Sequence, residues 1–292
     1  MRERNRAILD GAVLVSRETS ADAVLLAAAL PDEAAYLRAR LAGERRVIAA
    51  APPEGAVHPP HDHDVLALPE VRLRRRGRAK VALLEGLAAG LLSAGERVII
   101  VSGSTLDGDA ELDTIAVVEL SHDEELLDGH PEATINRLGE LADPIVFDAV
   151  LGLCVQLGHE GREGHRVGLL ITLGDHEAVL ARSHPLVLNP FEGHPEEVRS
   201  ILNPATRRAV REFSGIDGAF VVRADGVVVA AGRYLEALAP ERQLPAGLGT
   251  RHRAAAGITG ATRCIAFVVS QSSGDTRVYV GGRLLVTIER TD

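Results

Sequence analysis

Short apolar runs alternate with amphipathic stretches along residues 1–125. GAVLVS (Gly11–Ser16) predicts a strand, and the pattern over Ala23–Ala42 predicts a helix interrupted by Pro31. RVIAAAP (Arg46–Pro52) and DVLALP (Asp64–Pro69) predict two more strands, followed by a helix over Arg78–Ala94. ERVIIVSG (Glu96–Gly103) and LDTIAVVEL (Leu112–Leu120) then read as strands. Continuous apolar strands separated by helices suit a parallel sheet covered on both faces. The expectation for residues 1–125 is a small parallel α/β domain.

SHDEELLDGHPEA (Ser121–Ala133) is acidic, holds Pro131 and has no strand pattern, so residues 126–144 are read as a linker. Helical periodicity continues to Gly158, with Pro144 opening a new helix. HRVGLLITLG (His165–Gly174) predicts a strand ending in a glycine turn. Ala219–Val222 and Val227–Ala231 flank Asp225-Gly226, a hairpin signal. CIAFVVSQ (Cys264–Gln271) and the hairpin RVYVGGRLLVTIE (Arg277–Glu289) complete a mixed sheet. Residues 145–292 are therefore expected to form a second α/β domain, its mixed sheet flanked by helices.

Composition narrows the function. A chain of 292 residues with 46% hydrophobic content supports two cores. A formal net charge of -9 argues against a general nucleic-acid binder, and 3% aromatic content without Trp argues against a stacking platform for single strands. Cys154 and Cys264 lie in apolar runs and read as core residues. The N-terminus lacks the apolar core of a signal peptide. VALLEGLAAGLLSAG (Val81–Gly95) is too short to span a bilayer and contains Glu85. A soluble, cytoplasmic protein is expected, with neither nucleic acid nor membrane as partner.

Two stretches carry chemistry. Asp217, in GIDGAFVV, stands at the mouth of a predicted strand between Gly215 and Gly218. A carboxylate there holds a divalent cation or makes a turn hydrogen bond. In GLGTRHRAAAGITG (Gly247–Gly260), Thr250, Arg251, His252 and Arg253 stand where a helix is expected to start. The free N–H groups of a helix N-terminus favour an anion, and guanidinium groups match phosphate geometry. The alternative is two solvated arginines beside a packed histidine. A metal-binding acid together with an arginine cluster has the parts for phosphoryl or nucleotidyl transfer.

DGAFVVRADGVVVAAGRYL followed by GLGTRHRAAAGITGATRCIAFVVSQ resembles the diadenylate cyclase (DAC) domain. The family's DGA and RHR signatures are present as Asp217-Gly218-Ala219 and Arg251-His252-Arg253. The resemblance implies condensation of two ATP into cyclic di-AMP with release of two pyrophosphates, between two cyclase domains that meet face to face. It implies that Asp217 binds Mg²⁺ or Mn²⁺ and helps deprotonate the attacking 3′-hydroxyl. It implies that Gly218 and Ala219 lie in the ATP site, that Thr250, Arg251, His252 and Arg253 hold the triphosphate with Ser270 and Gln271 nearby, and that Leu235 lines the adenine pocket. Catalysis would rest on Asp217, Arg251 and Arg253. Some family members have acidic residues after the serine where this chain has Gln271-Ser272-Ser273, which leaves a second protein metal ligand open.

GERVIIVSGSTLDGDAELDTIAVVEL resembles the C-terminal α/β domain of pyruvate kinase, which precedes the cyclase domain in archaeal-type members. That likeness implies a regulatory or assembly role for residues 1–125. The loop Gly103–Asp109 is read either as a site for a small-molecule effector or as a plain connection. VRLRRRGR (Val71–Arg78) reads as a solvated basic loop, and VHPPHDHD (Val57–Asp64) as a loop rather than a metal site. Two rivals stand beside the cyclase: a non-catalytic sensor of ATP or cyclic di-AMP, and a nucleotidyltransferase with another acceptor.

Overall fold

The computed structural model describes residues 1–51, 65–68, 73–106, 109–120, 136, 138–237, 239 and 249–291. The histidine-rich stretch Val57–Asp64 and most of the expected linker lie outside them. The chain divides into two compact units, Met1–Asn136 and Arg137–Asp292.

In the first unit the order is α1 (Glu3–Glu18), β1 (Ala23–Leu26), α2 (Pro31–Arg40), β2 (Arg46–Ala51), β3 (Val65–Ala67), α3 (Arg75–Ala88), β4 (Arg97–Leu106) and β5 (Asp109–Glu119). Among the described residues the sheet has strand order β3-β2-β1-β4-β5. Strands β1 to β4 pair in parallel, and β5 returns antiparallel beside β4. Residues of α1 and α2, including Leu9, Ala12, Val13 and Leu37, pack on Val24, Leu26, Val47 and Ile99.

Several sequence expectations change here. Gly11–Ser16 is helical: Leu9, Ala12, Val13 and Ser16 are buried at helix spacing, and a short apolar run does not separate the two periods. Ala23–Leu26, expected within a helix, is the central strand, buried on both faces; the helix starts only at Pro31, whose fixed φ suits a first turn. The sheet is mixed. The expected loop Gly103–Asp109 is largely strand, because β4 runs through Leu106 and β5 begins at Asp109. Gly103 serves that pairing: the ladder shifts register between Ser102 and Gly103, and a Cβ at Gly103 would lie 1.8 Å from the Glu111 carbonyl oxygen. Arg75–Arg78 also departs from the solvated-loop reading. It opens α3, with Arg75 paired to Asp113 and Arg78 buried, donating to the Gly103 carbonyl.

The second unit opens with a single turn at Leu138–Leu141. It continues through α4 (Pro144–Glu160), β6 (Leu169–Leu173), α5 (His176–Leu180), β7 (Ser183–Pro185), α6 (Pro204–Phe213), β8 (Ala219–Val222) and β9 (Val228–Leu235). It closes with α7 (Thr250–Ala261), β10 (Ile265–Val269), β11 (Thr276–Val280) and β12 (Arg283–Ile288). The Asp143 side chain caps α4 and Asn203 caps α6, each with Pro in the first turn.

Sheet order is β12-β11-β10-β6-β8-β9-β7. Among the described residues only β6 and β8 pair in parallel; the other neighbours are antiparallel. Side chains alternate across β10. Phe267 meets Phe147 of α4, with ring centroids 5.4 Å apart, whereas Ala266 and Val268 pack with Ala254, Ala255 and Ile258 of α7. Helices α4 and α7 thus cover opposite faces. Cys154 and Cys264 are buried, and burial raises both thiol pKa values, that of Cys264 to about 12. Among the described residues no helix is long and apolar enough to cross a membrane.

Candidate active site

The N-terminus of α7 lies beside the turn that follows β10. Together they line a cleft of about 440 Å³, formed by Gly249–His252, Val268–Ser273, Asp275 and Arg277. Alanines at 254–256 explain the position of the helix: small buried side chains let α7 lie close on β10 and β11. Thr250 starts the helix, so its first free backbone N–H groups are at the cleft.

Arg251 defines the cleft wall. It passes so close to Gly168, just before β6, that a Cβ there would lie 2.6 Å from its Nη1 and 3.0 Å from its Cζ. At the mouth, Arg251 Nη2 stands 3.6 Å from Asp217 Oδ1. The Asp217 side chain is 86% exposed. Its Oδ1 accepts the Gly218 N–H at 3.0 Å, while Oδ2 has no hydrogen-bond partner among the described residues. Gly218 adopts φ +99°, and its missing Cβ leaves room for the backbone at Gly232 and Arg233. Asp217 is thereby presented just ahead of β8.

His252 turns inward. It is 6% exposed, and its Nδ1 lies 3.1 Å from the Tyr279 hydroxyl on β11. Burial first, then the nearby Arg277 and Arg251, lowers its pKa to about 4, against an opposing pull from Asp275. The imidazole is neutral at pH 7, so it anchors the helix start and adds no charge. The turn after β10 is internally bonded. Ser270 Oγ lies 3.1 Å from Ser272 Oγ and accepts the Ser273 N–H at 3.3 Å, and the Ser270 N–H donates to the Asp275 carbonyl at 2.9 Å.

Of the residues singled out in the sequence, Thr250, Arg251, His252, Ser270 and Gln271 line the cleft, and Asp217 with Gly218 stands at its mouth. Three others stand apart from the cleft lining. Arg253 donates from Nε to the Ala239 carbonyl at 3.2 Å. Ala219 and Leu235 are buried, in the core with Ala239 and Ala254. Sequence reasoning passed over Gly168, Asp275 and Arg277. Only Gly168 left a trace, as a glycine just ahead of an apolar strand. Among the described residues no group of three or more His, Cys, Asp or Glu side chains is placed to hold a metal ion.

Two sequence families match the chain. Residues 156–284 match the family described as "DisA bacterial checkpoint controller nucleotide-binding", and residues 4–127 match that described as "Probable sensor domain DacZ_P". A diadenylate cyclase of Methanocaldococcus jannaschii is 35% identical over 206 residues, 70% of this chain and 63% of that protein's length. The chain thus spans less than two thirds of that relative. A diadenylate cyclase of Haloferax volcanii is 35% identical over 203 residues, covering 68% of this chain and 73% of the relative. The crystal structure of a double mutant of DacA from Staphylococcus aureus is similar over 48% of this chain and 83% of its own, at 24% identity and a TM-score of 0.32. With a family signature over the unit that holds the cleft, and relatives matched across most of the chain, this protein belongs to the diadenylate cyclase family.

Proposed function

We propose that the chain condenses two ATP molecules into cyclic di-AMP and two pyrophosphates, with two cyclase units facing one another. The observation that carries this reading is the meeting of Asp217 and Arg251 at the cleft mouth, a carboxylate and a guanidinium 3.6 Å apart. In the step proposed, the 3′-hydroxyl oxygen of one ATP attacks the α-phosphorus of the other. The bond to the β-phosphate breaks, pyrophosphate leaves, and the hydroxyl proton passes to Asp217. A second, symmetric step closes the ring.

The cleft has room for one nucleotide in this reading, and Asp217 stands exposed at its rim, as an acid facing a second bound nucleotide must. Arg251, Thr250 and the first N–H groups of α7 hold the triphosphate. Two ATP carry about eight negative charges, so fixed cations on both sides are needed to bring them together.

A divalent cation fits the donor set in a limited way. Magnesium is commonly held by one or two carboxylates plus substrate phosphates and water, and Asp217 Oδ2 is such a carboxylate oxygen. Mg²⁺ or Mn²⁺ would be held by Asp217 with the nucleotide, and when bound it neutralises charge on the phosphates.

Residues 145–292 are assigned the catalysis and residues 1–125 a regulatory or assembly role, with a small-molecule effector as the proposed input. Because β4 and β5 occupy most of the stretch read as an effector loop, that input is left without a site. A cytoplasmic setting, where ATP is supplied, belongs to the same proposal.

Incubating the purified chain with ATP and Mn²⁺ or Mg²⁺, and resolving products by chromatography and mass, tests the reaction. Cyclic di-AMP is expected, and its loss in Asp217→Asn. ATP binding without any product would favour the sensor reading, and a different nucleotide product the other-acceptor reading.

A further inference from the structure

Arg277 belongs to neither signature, yet it lines the cleft with Arg251. It stands on β11 directly opposite Val268, two residues before Tyr279. Alternation therefore puts Arg277 on the sheet face that α7 covers. Tyr279, farther along that face, holds His252, so Arg277 stands nearer the helix N-terminus and the cleft.

The local bonding fixes this guanidinium in place. Its Nη2 donates to Asp275 Oδ2 at 3.1 Å, and the side chains of the pair are 16% and 18% exposed. Asp275 is itself held, accepting the Ser273 hydroxyl at 2.6 Å on Oδ2 and the Arg290 N–H at 3.2 Å on Oδ1. The Arg277 side chain makes no other hydrogen bond among the described residues, so Nη1 and Nε keep their donors. A pre-positioned guanidinium with spare donors, beside a second guanidinium and a helix N-terminus, suits a ligand with several phosphate groups.

We propose that Arg277 is a second polyphosphate-binding residue of the nucleotide site and sets its preference for a triphosphate. A nucleoside triphosphate engages Arg251 and Arg277 together, whereas a monophosphate reaches only one. The inference deepens the cyclase reading and rests on it for the identity of the nucleotide.

The test is calorimetric titration of the full chain with ATP and with AMP, for the wild type, Arg277→Gln and Asp275→Asn. Arg277→Gln is expected to weaken ATP about 10- to 100-fold, the loss typical of a charge-assisted hydrogen bond, and to change AMP about twofold or less. Asp275→Asn, which keeps the guanidinium, should retain the preference for ATP. Equal losses for ATP and AMP in Arg277→Gln, or no loss for either, would overturn the assignment; an equal loss is what a purely structural role gives. Should Arg277→Gln not fold, Arg277→Lys supplies the same comparison: a loss confined to ATP supports the role, and equal losses refute it. A wild-type chain that binds no ATP overturns the cyclase reading itself, and the wild-type titration alone reveals it.

Discussion

Acidification should weaken the second unit through one side chain. His252 is 6% exposed and its pKa lies at about 4, below the ordinary 6.5. Between those values the unfolded chain binds a proton that the folded chain refuses. The contribution of the neutral imidazole is thus complete above pH 6.5 and is lost as pH falls toward 4. The difference between 6.5 and about 4, at about 1.4 kcal/mol per pH unit, gives about 3 kcal/mol in all and about 1.4 kcal/mol by pH 5.5. These are upper figures, because the cleft admits water that screens the two arginines.

Urea unfolding from pH 7.5 to 4, followed by pulsed hydrogen exchange in peptides from residues 250–280, reads this unit by itself. Comparison with His252→Gln, which does not titrate, cancels the carboxylates common to both. The wild type should lose about 2–3 kcal/mol more than the variant over that range. Parallel stability curves would refute the burial argument.

Arg251→Ala should weaken ATP binding by about 1.5–3 kcal/mol, read by titration, since a charged hydrogen bond is removed. Gly168→Ala should reproduce much of that loss, because the new methyl would lie 2.6 Å from the Arg251 head and 3.3 Å from the Gln271 Cβ, and both must give way; unchanged ATP affinity would contradict the clamp. Gly103→Ala should destabilise the first unit by about 1–3 kcal/mol in a thermal melt while leaving ATP affinity intact. Chelating divalent cations should stop product formation, and adding back Mg²⁺ or Mn²⁺ should restore it in the wild type and leave Asp217→Asn inactive.

The α/β class and most strands of the second unit were legible because those strands are bounded by strong turn signals, whereas the two helices and the short strand β7 between Gly174 and Ala219 were not read. Asp225-Gly226 closes β8 onto β9, with Gly226 at φ +93°. The first unit was harder to read at its start. Gly11–Ser16 and Ala23–Leu26 are both short, apolar and fully compatible with either period, and packing against the sheet decides between them. Within the site, RHR and DGA announced Asp217 and Arg251, whose side chains face the cleft or its mouth. The residues that complete the site around them did not announce themselves. Tyr279 anchors His252 from 27 positions away, and Arg277 reaches the cleft only because β11 lies beside β10. Side-chain direction was hidden too: Arg253, two residues past Arg251, turns to the Ala239 carbonyl.

The space taken by Arg251 at Gly168 ties together two positions far apart in the chain. A relative could keep the whole Arg-His-Arg triplet and still lose its clamp through one methyl group at the start of β6. Such a chain would pass every signature search as a cyclase while its arginine stood in the wrong place. If Arg251 clamps the triphosphate as proposed, the glycine at 168 is part of the motif in all but spelling, and it should be read alongside the triplet.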